Sequence, residues 1–303
     1  RNIAGYPFPS KLKNTEQAKE IIRLVNTEAS RVGVFNLYFM DAVSDIVARC
    51  LMEDHLISAD LIANKKYGAA LIDEEEKFSI MINEEDHLRE QYLLRGFRLN
   101  RAYEKISAMD DMLSKSIRFA YDKQLGYLTS CPTNLGTGLR ASVMLFLPGL
   151  TRLNKMNNLI HHISRLGLTV RGVYGEGSVA EGYMYQISNE VTLGVEEETI
   201  LSEVENAVLE VVGLEARARE QLVKNDLIGV KDDCRRSFGI LTNCEKVSFK
   251  EFLQLISNVK LGAALGYVPI GDISKIDDLI VAVRPANICL LYTSPSPRDG
   301  LLS

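Results

Sequence analysis

Several features that would assign this chain to a membrane, secreted or nucleic-acid-binding class are missing from its 303 residues. No apolar run approaches the roughly 18 residues of a membrane-spanning helix, and the first residues contain no signal-peptide core. The net charge is −5, and Lys and Arg form no continuous stripe that could follow a phosphate backbone. We therefore expect a cytoplasmic protein that binds neither nucleic acid nor a membrane.

Motifs for disulfides, zinc and the common nucleotide folds are also missing. The five cysteines are odd in number and show neither CxxC nor Cys/His ligand spacing, which favours reduced thiols without structural zinc. There is no GxxxxGK[ST] sequence, and the glycines at 175, 177 and 182 open no helix, as a dinucleotide-binding fingerprint would require. The cysteines are Cys50, Cys131, Cys234, Cys244 and Cys289.

The composition is that of an ordinary globular protein, with 46% hydrophobic and 25% charged residues, and the length suggests two domains. Hydrophobic periodicity predicts an α+β fold: an antiparallel β-sheet flanked by helices, followed by a small α-helical C-terminal domain. We expect domains at 1–224 and 225–290, and a disordered or non-native tail at 291–303. Helices are predicted at 15–31, 41–52, 98–123, 149–166 and 196–224, and strands at 34–39, 68–73, 77–83, 126–130 and 139–147.

The stretch GYLTSCPTNLGTGLRASVMLFLP, residues 126–148, predicts a short strand, a glycine-rich turn and a second, apolar strand. Such a turn allows backbone N–H groups to approach an anion, and Arg140 could bind phosphate oxygens with its planar fork. Cys131 would lie beside that anion. On the residues alone, a plain β-turn with a packed thiol and a surface arginine is the alternative.

The string CPTNLGTGLRAS within this stretch resembles the signature of the ATP:guanido phosphotransferases, the superfamily of arginine and creatine kinases. A near-literal match of this length is more specific than an isolated glycine motif. The resemblance implies a guanido kinase catalytic domain that uses ATP, with Mg2+ held mainly by ATP oxygens and water. It also implies that Arg140 binds nucleotide phosphate and that Cys131 is a thiolate that orients the substrate.

Two further segments carry the resemblance. NEEDHLR, residues 83–89, would by itself be read as a solvated acidic turn, but it matches a superfamily segment in which Glu85 is the catalytic carboxylate and Arg89 a nucleotide-phosphate ligand. In the strand–loop–strand segment 168–194, the match implies that Arg171 binds phosphate and that Glu176 is the second substrate-binding carboxylate. Glu85 is the residue we expect to act as the base.

Within the superfamily, the chain is most similar to the bacterial protein-arginine kinases. Met144 after RASV, the loop RGVYGEGSVAEG and the helical C-terminal region carry this similarity. It implies protein substrates bearing arginine, a zinc-binding activator protein, a Clp unfoldase-protease system and a role in stress response, and it leaves a homodimer open. The family's phosphoarginine-sensing RDxxRA motif is not found.

Two other functions stay open at this point: a small-molecule guanidino kinase, and a non-catalytic binding fragment. Arg1-Asn2 resembles the end of the superfamily segment SRxRxxRN, so the chain is expected to be truncated at its N-terminus, before two phosphate-contacting arginines. A fragment without those arginines could retain the carboxylates and still fail to bind ATP.

Overall fold

A computed structural model of the chain describes residues 1–12, 14–75, 77–172 and 181–293. The described chain forms two compact units. Unit 1 comprises residues 1–139 and 192–197 with the described residues from Ala286 on, and unit 2 comprises the described residues of 140–191 and 198–285. The chain passes from one unit to the other after Leu139, Val191, Glu197 and Pro285. The expected division at residue 225 coincides with none of these four points and stays a prediction.

Unit 1 is built on a four-stranded antiparallel sheet in the order β1-β2-β3-β4. The predicted hairpin of residues 68–73 and 77–83 is confirmed, with Leu71 opposite Ile80. All five residues of β3 are buried. Four of the five residues of FSIMI are apolar, and Ser79 is buried among them, because both faces of the sheet are covered. The strands are β1 (Phe35–Phe39), β2 (Ala69–Asp73), β3 (Phe78–Ile82) and β4 (Leu88–Tyr92).

Helices cover the two faces of this sheet. On one face α1 (Thr15–Ala29) and α4 (Leu99–Ser114) pack against Leu71 and Ile80. On the other face α2 (Asp45–Glu53) and α3 (Ala59–Ala63) pack against Ile72 and Met81 of the same strands. Alternate residues of one strand thus enter two different cores, as the period of a β-strand requires.

Two predicted helix boundaries and one predicted strand in this unit differ from the structure. Helix α2 begins after Ser44, whose hydroxyl accepts from Val47 N, and not after Asp41. Helix α4 ends at Ser114, because Ile117 and Phe119 enter the core with strand spacing. A short hairpin follows, formed by β5 (Tyr121–Asp122) and β6 (Gly126–Tyr127), so the predicted strand 126–130 is shorter than expected. Helix α1 is confirmed, with Asn14 as its N-cap.

Unit 2 contains a three-stranded antiparallel sheet in the order β7-β9-β8. The single helix predicted at 149–166 is divided into α5 (Pro148–Arg152) and α6 (Met156–Ser164), because Asn154 adopts a left-handed φ of 55° between them. Helix α6 packs on β8. The strands are β7 (Ser142–Phe146), β8 (Leu168–Gly172) and β9 (Met184–Asn189).

The rest of unit 2 is helical. The helices are α7 (Glu197–Asn225), α8 (Leu227–Asn243), α9 (Phe249–Ala264) and α10 (Ser274–Ala282). Helix α11 (Pro285–Thr293) belongs to unit 1 from Ala286 on. The tail expected to begin at 291 therefore starts inside a helix, and residues 294–303 lie outside the described residues. Among the helices of the described ranges, none has the length and apolar character needed to cross a membrane.

Candidate active site

The acidic segment forms the tight connection between β3 and β4. Asn83 donates its backbone N–H to the carbonyl of His87 over 3.0 Å, which closes the turn. Asn83 has a left-handed φ of 57°, a conformation that asparagine tolerates better than most residues. Its amide Nδ2 donates to the Tyr67 carbonyl over 3.1 Å, so the turn is fixed to the body of unit 1.

The three adjacent carboxylates of this turn have different environments. The Glu84 carboxylate is 2% exposed and accepts from the Ser58 hydroxyl and, over 2.9 Å, from Arg89 Nη1. The Asp86 carboxylate is buried and accepts from Asn2 Nδ2 over 2.7 Å and from Ser130 N over 2.6 Å. Glu85 alone among the three is exposed. The two flanking acids therefore hold the turn, and Glu85 is the one accessible to a substrate.

The pKa of Glu85 is raised above its ordinary value. Neighbouring protein atoms keep part of the water away from this exposed carboxylate, and this desolvation contributes most to the shift. The charges of Asp86 and Glu84 add to it, while Arg89 opposes it. A carboxylate with a raised pKa holds a proton more readily than an ordinary surface glutamate. This property suits a group that must remove a proton from a substrate.

His87, next in the sequence, has a structural role. It is fully buried; its Nδ1 accepts from Ile3 N over 3.0 Å, so Nε2 is the nitrogen that donates to the Pro7 carbonyl at 3.0 Å. Burial lowers the pKa of His87, which favours the neutral ring that this pair of bonds requires.

The glycine-rich loop, residues 131–138, is attached to this acidic turn through Ser130. The Ser130 hydroxyl donates to the Glu85 carbonyl over 2.7 Å, and its backbone N–H donates to Asp86. Cys131 follows directly and is half-buried, with its Sγ 3.0 Å from Thr133 Oγ1. The structure therefore brings Cys131 and Glu85 to one part of unit 1, next to Arg89 on β4.

The glycine-rich loop is not a plain β-turn. Gly136 has φ of 96° and passes so close to residue 192 that an added Cβ would lie 2.2 Å from the Thr192 carbonyl oxygen. The N–H groups of Asn134, Leu135 and Thr137 donate within the unit, to Cys131 O, Pro132 O and Thr192 O. The expectation that the backbone of this turn presents its N–H groups to an anion is therefore wrong for these three residues.

In unit 2, two predicted phosphate ligands lie on one face of the β7-β9-β8 sheet. Arg140 Nη2 donates to Ser188 Oγ over 3.1 Å, and Arg171 lies opposite Gln186 in the register of β8 and β9. Ser188 and Gln186 are two residues apart on β9, so their side chains share a face. Met144, opposite Gln186 on β7, is exposed on the same face. Guanidinium groups are suited to binding phosphate oxygens, so this sheet face could hold an anion.

Other parts of the predicted site have different outcomes. Glu176 and the loop around it lie outside the described residues. Within the described ranges, no group of three or more His, Cys, Asp and Glu side chains is placed to hold a metal ion.

The sequence analysis did not identify four residues that fix the acidic turn or the glycine-rich loop through hydrogen bonds: Asn2, Asp86, Ser130 and Thr192. No spacing rule connects Asn2 to Asp86, and only the carboxylate run gave a signal for Asp86.

Comparison with known proteins identifies the class. The family model described as the ATP:guanido phosphotransferase C-terminal catalytic domain matches residues 16–218. The chain belongs to the ATP:guanido phosphotransferase family and is a phosphotransferase of the kinase type. A second model, described as the protein-arginine kinase McsB C-terminal domain, matches residues 228–295. Within the family, the chain belongs to the protein-arginine kinases.

Individual relatives support this assignment. The protein-arginine kinase of Caldanaerobacter subterraneus subsp. tengcongensis is 42% identical over 99% of this chain and 90% of that protein. The protein-arginine kinase of Geobacillus stearothermophilus is 44% identical over 94% of this chain and 80% of that protein. These matches extend through both family models, which supports a protein-arginine kinase function for the chain.

Solved structures of small-molecule guanidino kinases share the fold. The duplicated taurocyamine kinase of Schistosoma mansoni, with bound transition-state-analogue components, has a TM-score of 0.62 at 28% identity, over 71% of this chain and 31% of that one. A lombricine kinase has a TM-score of 0.62 at 25% identity, over 71% of this chain and 64% of that one. The predicted α+β guanido kinase fold is confirmed.

Proposed function

We propose that the chain transfers the γ-phosphoryl group of ATP to the guanidinium of arginine side chains in other proteins, with Glu85 as the general base. The observation that carries this proposal is the acidic turn: two carboxylates are buried and bonded, and Glu85, with its raised pKa, is exposed beside the loop of Cys131. Membership of the family supports ATP as the phosphoryl donor and protein arginine side chains as the acceptor.

The reaction needs a base because a guanidinium is protonated at neutral pH and its lone pairs are delocalised. The Glu85 carboxylate accepts hydrogen bonds from the planar guanidinium of the substrate and orients one of its nitrogens toward the γ-phosphorus. It then accepts the proton of that nitrogen. A nitrogen–phosphorus bond forms, the bond between the γ-phosphorus and the bridging oxygen breaks, and ADP leaves with the electron pair. Cys131 orients the fork, and Glu176 is proposed as the second carboxylate that holds it.

Arg89, Arg140 and Arg171 are proposed to neutralise the charge on the phosphates. Preorganised cations of this kind are worth several kcal/mol because they need no reorganisation when charge develops. The exposed fork of Arg89 and the shared sheet face of Arg140 and Arg171 support this role. Mg2+, held mainly by ATP oxygens and water, would supply further charge neutralisation.

The finer biological role is proposed from family membership alone. Arginine-bearing proteins are the substrates. A zinc-binding activator protein and a Clp unfoldase-protease system are the partners, linked to stress response in the cytoplasm. A homodimer is included in this proposal.

The test compares the wild type with Glu85→Gln, and with Glu75→Gln as a matched control, since Glu75 is an exposed glutamate paired with Lys77 away from the turn. Each protein is incubated with labelled ATP and either casein or free arginine, and acid-labile phosphate is measured. We expect phosphate on casein for the wild type and Glu75→Gln, and none for Glu85→Gln, with ATP affinity unchanged. Turnover by Glu85→Gln at the wild-type rate would overturn the assignment of the base.

A small-molecule guanidino kinase is the second candidate, favoured by the taurocyamine and lombricine kinases among the similar structures. Phosphorylation of free arginine without labelling of casein would select it. A chain that binds no ATP would be neither kind of kinase.

A further inference from the structure

The guanidinium of Arg1 contacts a carboxylate, a backbone carbonyl and an aromatic ring inside unit 1. Its Nε and Nη2 donate to the Asp110 carboxylate over 3.0 and 2.7 Å, and its Nη1 donates to the Thr137 carbonyl over 2.6 Å. The guanidinium carbon lies 3.6 Å from the centroid of the Tyr127 ring. The side chain is only 14% exposed. A planar fork with a paired carboxylate on one edge and a carbonyl on the other has little freedom to move.

The Thr137 contact connects Arg1 to the glycine-rich loop. Asp110 lies on α4, whereas Thr137 lies near the end of the loop that begins at Cys131. The arginine therefore fixes that end of the loop to the helical layer of the unit. A lysine could keep the charge near Asp110, but its single ammonium could not reproduce the flat fork that reaches both partners at once.

Asn2, the next residue, fixes the acidic turn. Its Nδ2 donates to Asp86 Oδ1 over 2.7 Å and to the Leu128 carbonyl over 3.1 Å, and its Oδ1 accepts from His87 N over 2.9 Å. Asn2 is 1% exposed, so these bonds are shielded from water. Two adjacent residues thus hold the two segments that carry Glu85 and Cys131.

Thr192 holds the middle of the same loop. Its hydroxyl lies 2.9 Å from the Thr133 carbonyl and 2.6 Å from the Leu135 carbonyl, and its own carbonyl accepts from Thr137 N over 3.1 Å. The loop is therefore bonded at its start through Ser130, in its middle through Thr192 and at its end through Arg1.

We propose that Arg1 and Asn2 form one positioning element, which sets the distance between the Cys131 thiol and the Glu85 carboxylate. The proposal rests on the proposed function, in which these two groups orient and deprotonate the guanidinium. Neither residue contacts the reacting atoms. They act through the Thr137 carbonyl and the Asp86 carboxylate.

Two readouts test this element in the full chain: steady-state kinetics, and alkylation of Cys131 by iodoacetamide, measured by peptide mass spectrometry with exposed Cys244 as internal reference. The variants are Arg1→Lys, Asn2→Ala and Asp110→Asn. The matched control is Arg31→Lys, because Arg31 is an exposed arginine just after α1 whose guanidinium donates to Glu28.

For Arg1→Lys we expect kcat to fall by roughly tenfold to a hundredfold, as a displacement of about 1 Å can cost a hundredfold, with KM for ATP within about twofold of the wild type. Cys131 alkylation relative to Cys244 should rise severalfold because the loop is released. Arg31→Lys should match the wild type in both readouts. The double variant Arg1→Lys with Asp110→Asn should be no slower than the worse single variant, since both act through one contact.

An unchanged alkylation ratio in Arg1→Lys and Asn2→Ala would overturn the proposal, and so would an unchanged kcat or an equal loss of kcat and ATP affinity. If Arg1→Lys does not fold, Asp110→Asn carries the same expectations. A wild type without arginine phosphorylation would contradict the proposed function, whereas the alkylation ratio would still decide whether Arg1 and Asn2 position the loop.

Discussion

Replacing Gly136 with alanine should displace the glycine-rich loop from its contact with the backbone of Thr192 and destabilise the protein. Gly136 has φ of 96°, and a Cβ at this position would lie 2.2 Å from the Thr192 carbonyl oxygen and 2.7 Å from Leu193 Cα. Both neighbours are backbone atoms that cannot rotate away. Gly194→Ala is the matched control, because Gly194 has φ of 75° but no atom within 4 Å of its added Cβ.

The control isolates the cost of the left-handed conformation, which is about 1–2 kcal/mol for a residue with a Cβ. Gly136→Ala carries this cost and a steric one. Because real Cβ atoms essentially never approach under 3.0 Å, the backbone must move by about 0.8 Å, the difference between 3.0 and 2.2 Å. Such a shift strains the bond from Thr137 N to Thr192 O and the one bond that the Thr192 hydroxyl can donate to a loop carbonyl, each worth about 1 kcal/mol. We expect Gly136→Ala to lose about 3–4 kcal/mol of unfolding free energy.

The measurement is equilibrium urea unfolding of both variants, followed by far-UV circular dichroism. If the two units unfold in separate transitions, the transition that shifts should be the same in both variants. Kinase activity of Gly136→Ala should fall more than that of Gly194→Ala, since the loop carries Cys131. A Gly136→Ala variant as stable as Gly194→Ala would refute the reasoning, because it would mean that the close approach to Thr192 does not exist.

Two further predictions concern buried carboxylates. Burial, helped by the neighbouring charge of Asp110, raises the pKa of Glu90 from 4.5 to about 8, so its contribution to stability falls as pH rises from about 4.5 to 8. The free energy of unfolding should therefore decline less between pH 6 and pH 8.5 for Glu90→Gln than for the wild type. An equal decline in the two proteins would contradict this prediction. The buried Glu215 carboxylate accepts from Gly149 N at 2.8 Å and Arg219 Nε at 2.6 Å. Glu215→Ala should cost about 3–5 kcal/mol in urea unfolding, against little for exposed Glu203→Ala on the same helix.

Local sequence patterns were sufficient for elements whose neighbours in the chain are also their partners in the fold. The hairpin of β2 and β3 and the start of α1 at Asn14 follow from alternation, turn residues and capping, which act over a few residues. The same patterns failed at Ser114 and Asn154. Helix α4 ends at Ser114 because Ile117 and Phe119 enter the core, although the periodicity continues beyond that residue. The predicted helix at 149–166 is interrupted because Asn154 adopts a left-handed backbone conformation.

For the candidate site, the amino-acid sequence was enough to identify the family and the residue types: a carboxylate run, a cysteine beside a glycine-rich turn, and arginines. It did not show which carboxylate is exposed and which two are bonded. That difference depends on Ser58, Asn2 and Ser130, which come from distant parts of the chain and meet the turn in the folded protein. Spacing along a sequence describes the surroundings of a residue within a few positions. The hydrogen bond between Asn2 and Asp86 joins residues 84 positions apart and forms only when the chain has folded, so no local pattern in the sequence indicates it.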